Sequence, residues 1–240
     1  MKIDSPRPAL VQDEAVAATA PRSLPLVALA AWLLSLAVPI LLVLINVRLV
    51  MSPLFVQIEY QRPGFPDDIF GFTRDDRLTY APYAINYLID NRDISYLGDL
   101  RFEDGSPLFN SRELRHMRDV QTVTRYAFLF GIAAGVVAFA SAVTLYRARQ
   151  PGILRMAFLR GALMTLLFIA VVVVLAVVGW QMFFTGFHEL FFSEGTWYFL
   201  TSDTLIRLFP EQFWFDAALT IGGLTGLEAL AIWWLARRAP

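Results

Sequence analysis

The segment "LPLVALAAWLLSLAVPILLVLINV", residues 24–47, carries no charged side chain and lies between Arg22 and Arg48. A helix needs about 20 predominantly apolar residues to cross the hydrocarbon core of a bilayer. The segment is long enough to do so. We therefore predict a transmembrane helix over residues 23–51.

This first segment does not have the pattern of a cleaved secretory signal peptide. Its apolar run is too long, and the region before it is long and carries acidic residues. These acids are Asp4, Asp13 and Glu14. We expect the first helix to be retained as an anchor, and residues 1–22, rich in Ala, Pro and charge, to form a disordered cytoplasmic tail.

Three more segments satisfy the same length rule, and hydrophobic residues make up 57% of the 240-residue chain. One such run would fit a buried helix of a soluble protein, but four in one chain indicate a membrane protein. The predicted fold class is an α-helical integral membrane protein with four transmembrane helices. The second, third and fourth helices are predicted at residues 122–146, 161–187 and 213–236.

Charge and cysteine content exclude several functional classes. The net charge is −1, so the chain lacks the basic surplus of a nucleic-acid-binding protein, and no nucleic-acid partner is expected. The chain contains no cysteine. Disulfides, thiolate metal sites and a cysteine nucleophile are therefore excluded.

Arginines predict the orientation in the membrane. The segment "RARQPGILRMAFLR", residues 147–160, has four arginines and no acid, and the C-terminal end adds Arg237 and Arg238. Short basic segments remain in the cytoplasm. Residues 147–160 are therefore expected to form a cytoplasmic loop, with both termini cytoplasmic. Residues 52–121 and 188–212 would then face outside.

The long outer segment, residues 52–121, contains the pattern of a folded domain. It has apolar residues at helical spacing around Pro82, and an Asp104-Gly105 pair that predicts a hairpin of two short strands. Asn110 and Glu113 have the spacing of a helix capping box. We predict a small α+β extracytoplasmic cap, followed by an aromatic outer loop at residues 188–212.

The chain has two histidines, His116 and His188. His116 lies 31 residues before Arg147, and His188 lies 28 residues after Arg160. At about 1.5 Å per residue, helices would place the two rings about 46 and 42 Å above the basic segment. We therefore expect both rings at the outer interface, on adjacent helices. Imidazole gains and loses protons near neutral pH, which predicts acid–base chemistry at this level.

Two other interpretations of the histidines remain open. Zinc binding would need further ligands such as Glu189, Glu194 or Asp119, but Phe192 stands where H-E-x-x-H has its second histidine. A zinc-dependent membrane hydrolase is one alternative, and a non-enzymatic membrane scaffold or lipid-binding protein is another. No G-x-S-x-G serine motif is present, so a nucleophile would come from the substrate.

Several side chains near the histidines are candidates for supporting roles. Most aromatic residues here fit an interfacial belt. Predicted substrate-binding residues are Phe187, Phe191, Trp197 and Arg118. Asp119 and Glu189 are predicted to orient the histidines. His188 is favoured as the base, because its apolar surroundings would keep the ring neutral. No metal ligand and no cofactor is predicted.

Three strings, "HMRDV" at residues 116–120, "FHELFFSEGTWYF" at 187–199 and "LIRLFPEQFW" at 205–214, resemble the bacterial lipoprotein intramolecular transacylase family. The four-span layout resembles that family too, so the likeness covers nearly all of the chain after its N-terminal tail. The sequence differs from the family pattern directly after Trp197, so the resemblance implies no catalytic role beyond that residue.

The resemblance implies a reaction on diacylated bacterial lipoproteins. In that family, the sn-2 acyl chain of the diacylglyceryl-cysteine moves to the cysteine α-amino group, which leaves a lyso-form lipoprotein. His116 and His188 would be the catalytic pair, and no cofactor is implied. The expected location is the bacterial cell membrane, with several spans, contact with membrane lipid and an active site facing outside.

Overall fold

A computed structural model describes residues 24–238, and the predicted tail at residues 1–22 lies outside them. The described residues form nine helices: α1 (Leu24–Val50), α2 (Pro53–Gln61), α3 (Arg74–Ile89), α4 (Ser95–Gly98), α5 (Ser111–Arg147), α6 (Pro151–Val178), α7 (Trp180–Phe191), α8 (Thr204–Leu208) and α9 (Glu211–Arg238). Helices α1, α5, α6 and α9 are long and apolar enough to cross a membrane. The prediction of four spans is confirmed.

The four long helices form a bundle around α1. Helix α1 packs against α5, α6 and α9, and α6 packs against α9. The bundle core contains many small side chains, which let helix backbones approach closely. Its buried members are Val27, Ala30, Ala31, Leu34, Ala37, Ala138, Leu145 and Ala157.

Helices α1 and α6 approach closely at Gly161 of α6. A Cβ added there would lie 2.7 Å from the Cβ of Val38 and 3.0 Å from the carbonyl oxygen of Ser35. Both of those atoms belong to α1, and the carbonyl is backbone that cannot turn aside. In contrast, a Cβ added at Gly226 of α9 would meet nothing within 4 Å.

A buried polar cluster joins α1 to α9 inside the bundle. Asn46 is 0% exposed, and its Nδ2 donates to Glu228 Oε2 at 2.7 Å and to Thr225 Oγ1 at 3.1 Å. Glu228 is therefore a partner in helix packing. Polar side chains that bond between helices in this way help to hold bundles together in lipid.

The shorter helices form a cap over the first turns of α5. Its core is aromatic and aliphatic, and the Tyr60 hydroxyl donates to the carbonyl of Leu208. Arg77 is only 5% exposed, and its guanidinium donates to the carbonyls of Arg207 and Pro66. The cap is therefore tied together by bonds between segments far apart in sequence.

The predicted α+β character of the cap is wrong. Between residues 24 and 238 the structure has no paired strands, only an isolated bridge between Arg101 and Pro107. Gly105 does form the predicted tight turn, with φ +83°. Two backbone hydrogen bonds cross the turn, from Phe102 N–H to the Ser106 carbonyl and from Leu108 N–H to the Leu100 carbonyl, which make a single bridge and not a ladder.

Two predicted boundaries also differ from the structure. The basic segment 147–160 is mostly helix, because α5 continues to Arg147 and α6 begins at Pro151. Proline is favoured at the first position of a helix, where its missing N–H is not needed. The predicted third span, residues 161–187, is interrupted at Gly179, whose φ of −147° and ψ of 60° are not helical. Helix α7 begins after that break.

We predict that Gly161→Ala lowers the thermal stability of the detergent-solubilised protein. The added methyl group forces α1 and α6 apart, and overpacking of this kind costs about 1–3 kcal/mol. Gly226→Ala is the matched control, and it should leave stability unchanged or raised because alanine favours helix by about 1 kcal/mol. Equal melting temperatures for the two variants would contradict the close packing at Gly161.

Candidate functional site

The start of α5 fixes the position of His116. The side chain of Asn110 accepts hydrogen bonds from the backbone of Arg112 and Glu113, and Glu113 Oε2 accepts from the Asn110 N–H at 2.7 Å. This is the predicted capping box, which satisfies N–H groups that the first turn leaves free. His116 follows three residues after Glu113, so it lies on the same side of the helix.

Glu113 also joins this helix start to the segment that follows His188. Its second oxygen, Oε1, accepts from the backbone N–H of Leu205 at 2.7 Å, and the side chain is only 1% exposed. Nearby, the Thr204 hydroxyl donates to the carbonyl of Leu108 at 2.5 Å. A single buried carboxylate therefore connects the two parts of the chain that carry the histidines.

His188 is held by its own helix, α7. Its Nδ1 lies 2.8 Å from the carbonyl oxygen of Phe184, one turn earlier. A carbonyl oxygen only accepts hydrogen bonds, so this contact requires the proton on Nδ1. Nε2 then keeps its lone pair and can accept a proton from a substrate.

The two histidine rings lie face to face. Their centroids are 6.3 Å apart, and the planes are inclined by 21°. Phe192 and Phe199 pack against His116 at 5.0 and 5.2 Å between centroids. His116 is 8% exposed, and its Nδ1 is buried without a hydrogen-bond partner among the described residues. The structure therefore brings the two predicted residues together inside an aromatic wall.

The environment of His188 keeps its ring neutral. Burial lowers the pKa of the His188 imidazole below its ordinary value, and the hydrogen bond to the Phe184 carbonyl acts in the opposite direction. The ordinary value is about 6.5. At pH 7 the ring is therefore uncharged, which is the form that a general base requires.

Of the four predicted substrate-binding residues, Trp197 is nearest to the pair. Its ring centroid lies 4.8 Å from that of His188, and Phe187 follows at 5.6 Å. Phe191 stacks on Phe187 and forms no ring contact with either histidine. Arg118 is exposed and forms no hydrogen bond to either ring in the described part of the chain.

The predicted orienting residues do not contact the histidines. Within residues 24–238, neither Asp119 nor Glu189 forms a hydrogen bond or ion pair with His116 or His188. The orienting group of His188 is instead the backbone carbonyl of Phe184. Asp119 is half-buried and Glu189 is exposed, whereas the Phe184 carbonyl, one turn before His188, is within hydrogen-bond distance of its ring.

A cavity of about 230 Å³ opens at the end of α7, close to His188, although neither histidine is among its lining residues. It is lined by Glu189, Phe192, Glu194, Trp197 and Tyr198. All five residues belong to the predicted aromatic outer loop, residues 188–212. Two glutamates at this opening give it a negative character suited to an amine.

Three aromatic contacts were missed in the sequence. Phe184 and Phe192 lie one turn before and after His188, a spacing that puts them on the same side of the chain. Phe199, which reaches His116, comes after Trp197 and had no such spacing to reveal it. The described residues contain no cluster of three or more His, Cys, Asp or Glu side chains that could hold a metal ion, so the donor set does not support the zinc alternative.

Comparisons with known proteins find similar sequences and structures. A family model described as lipoprotein intramolecular transacylase Lit matches residues 32–214. An uncharacterized protein of Aquifex aeolicus (strain VF5) is 28% identical over 188 residues, which are 78% of this chain and 84% of that protein.

Solved structures share the fold. The structure of the membrane integral lipoprotein intramolecular transacylase Lit from Bacillus cereus superposes with a TM-score of 0.74 at 19% identity, covering 89% of this chain and 95% of that one. A histidine-to-arginine variant of the same protein gives a TM-score of 0.67 at 18% identity, covering 89% and 91% of the two chains.

We predict that Glu113→Gln destabilises the protein and loosens the site. The glutamine side chain has a single carbonyl oxygen in place of two carboxylate oxygens, so it can accept only one of the two backbone hydrogen bonds. Its NH₂ group then faces the other backbone N–H. A lost hydrogen bond to a charged group costs about 1.5–3 kcal/mol. Thermal unfolding and hydrogen exchange at the Leu205 amide measure the change.

The matched control is Arg112→Gln, which removes the ion pair between Arg112 and Asp203 at the same helix start. The Arg112 side chain is 46% exposed, so this change should cost less than about 1 kcal/mol. If Glu113→Gln lowered the free energy of unfolding no more than the control does, the Glu113 carboxylate would not be holding the start of α5 to the segment at Leu205.

Proposed function

We propose a histidine acid–base mechanism for this chain, which belongs to the lipoprotein intramolecular transacylase family and is a membrane acyltransferase. The proposed substrate is a diacylated bacterial lipoprotein. Its sn-2 acyl chain moves from the glyceryl group of the N-terminal cysteine to the α-amino group of the same residue. The observation that carries the proposal is the stacked pair of His116 and His188.

His188 acts as the general base. Its Nδ1 is committed to the Phe184 carbonyl, so Nε2 accepts a proton from the substrate amine as the amine nitrogen attacks the sn-2 ester carbonyl. A new C–N bond forms, and the carbonyl oxygen becomes an oxyanion in a tetrahedral intermediate. The proton then stands on the imidazole, ready to be returned.

Collapse of the intermediate completes the transfer. The bond between the carbonyl carbon and the sn-2 oxygen breaks, and the leaving oxygen takes a proton from the histidine pair. The products are an amide at the α-nitrogen and a free hydroxyl at the sn-2 position. The ring centroid of His116 lies 6.3 Å from that of His188, so His116 is placed to assist this second proton transfer.

The reaction needs neither an enzyme nucleophile nor a cofactor. Amine and ester belong to one molecule, so holding them close supplies a large part of the rate. The aromatic rings around the pair exclude water that would otherwise hydrolyse the ester. Phe187 and Phe191, each close to half exposed, extend this apolar surface outward and offer contact to an acyl chain.

The proposed orientation places the histidine pair outside the cytoplasm of a bacterial cell membrane, with both chain ends inside. Arginines support it: the ends of α5 and α9 opposite to the cap carry Arg147 and Arg237, and α6 begins beside them. Basic flanks of this kind remain in the cytoplasm. The cap and the site lie at the other end of the bundle.

We predict that His188→Gln and His116→Gln each reduce lyso-form product by about 10²- to 10⁴-fold, because each removes an acid–base group. Mass spectrometry of lipoprotein N-termini from cells that express each variant measures the product. Asp119→Asn is the control and should retain near wild-type product, since Asp119 contacts neither ring. Near wild-type product from either histidine variant would refute the two-histidine mechanism.

The orientation has a clean test because the chain contains no cysteine. Glu103→Cys places a thiol on the cap, and Gln150→Cys places one between α5 and α6; both positions are exposed. A membrane-impermeant maleimide is added to cells whose cytoplasmic membrane is intact; where an outer membrane exists, it is permeabilised first. The maleimide should label only the cap thiol. Gln150→Cys should react only after lysis, and the reverse pattern would overturn the orientation.

A further inference from the structure

Trp197 carries a hydrogen-bond donor that the protein does not use. The side chain is 7% exposed, and its indole Nε1–H is buried with no partner among the described residues. Buried polar groups in folded proteins are nearly always bonded. By comparison, Nε1 of Trp214 donates to the carbonyl of Phe209 at 3.0 Å. The unused donor of Trp197 therefore requires an explanation.

The unused donor lies beside the proposed base. The indole ring packs on His188 with 4.8 Å between centroids and an inclination of 33°, and Tyr198 covers it at 4.1 Å. Trp197 also lines the cavity of about 230 Å³ at the end of α7. The indole of Trp197 therefore lies next to the imidazole at which the proposed attack takes place.

We propose that the indole N–H of Trp197 donates a hydrogen bond to the carbonyl oxygen of the ester under attack and stabilises the oxyanion; this inference rests on the proposed function. As the amine attacks, the electron pair of the C=O bond moves onto that oxygen. When the C–O bond to the glyceryl group breaks, the pair returns. The indole N–H keeps its proton throughout, so no further reactant is needed.

The chemistry of indole suits this role. Indole N–H only donates and does not titrate at physiological pH, so it stabilises negative charge without competing for the proton that His188 carries. A donor fixed in an apolar surrounding is worth more to a developing charge than the same donor in water. An N–H without a partner also has no bond to give up when the oxyanion forms.

Other donors near the pair are committed or distant. The guanidinium of Arg112 lies 5.7 Å above the Phe199 ring, but it is paired with Asp203 at 2.7 Å. Nε1 of Trp180 is also unpartnered, yet Trp180 precedes His188 by two helical turns and packs on Phe183, Phe184 and Phe215. Trp180 therefore offers a matched control with an unused N–H outside the site.

The test replaces the N–H and keeps the ring. Trp197→Phe removes the donor, and incorporation of 3-benzothienylalanine at position 197 exchanges the N–H for sulfur with almost no change in shape. The purified protein is assayed in bilayer nanodiscs with a synthetic diacylglyceryl-cysteinyl peptide. Loss of one oxyanion donor typically costs about 10²- to 10³-fold in kcat. We expect a kcat loss of this order with little change in KM and no change in the pH dependence.

Two results would overturn the inference. One is a benzothienylalanine protein with wild-type kcat, and the other is a rise in KM at unchanged kcat, which would show that the ring only packs against bound substrate. If Trp197→Phe does not fold, the isosteric protein decides. Trp180→Phe should retain wild-type kcat, and a large loss there would show that any tryptophan change disturbs the protein.

The same assay separates this inference from the function on which it rests. If the wild-type protein makes no N-acyl product, the proposed function fails. If the wild-type protein is active and His188→Gln is not, while the benzothienylalanine protein retains full kcat, then only the role of Trp197 is wrong.

Discussion

The carboxylate of Glu113 is the constraint on which the site depends. One oxygen closes the cap of α5, and the other accepts the backbone N–H of Leu205. It is the only acid in the described chain that is 1% exposed or less. Because both carboxylate oxygens are hydrogen-bonded, the beginning of α5 and the segment after α7 are held in a fixed relative position. His116 and the aromatic wall around His188 follow from that position.

The same arrangement bears on the role proposed for the histidine pair. Each ring comes from a different helix, and neither is hydrogen-bonded to a carboxylate among the described residues: His188 bonds to the Phe184 carbonyl, and His116 packs against Phe192 and Phe199. A carboxylate partner would stabilise the charged imidazolium and weaken its ability to return the proton. The Phe184 carbonyl and the aromatic contacts orient the rings, and burial keeps His188 neutral, which suits the proposed mechanism, in which a proton is taken and returned in one turnover.

Much of this could be predicted from sequence because the controlling effects are local. Long apolar runs predict the four spans, and the spacing of Asn110 and Glu113 predicts the cap of α5. Long-range effects could not be predicted: nothing beside Leu205 marks it as the second partner of Glu113. The break at Gly179 was also hidden, since glycine is common in membrane helices. The hydrogen-bond partner of His188 was missed because every residue has a backbone carbonyl, so the sequence does not show which one a side chain contacts.

The most direct test of intramolecular transfer is an isotope crossover measurement. A synthetic lipopeptide carries a deuterated sn-2 acyl chain and a ¹⁵N-labelled peptide in one molecule, and it is mixed with the unlabelled compound and the purified protein. The account predicts N-acyl products that contain both labels or neither, with the amide chain derived from sn-2. Products with one label, or with the sn-1 chain on nitrogen, would contradict it.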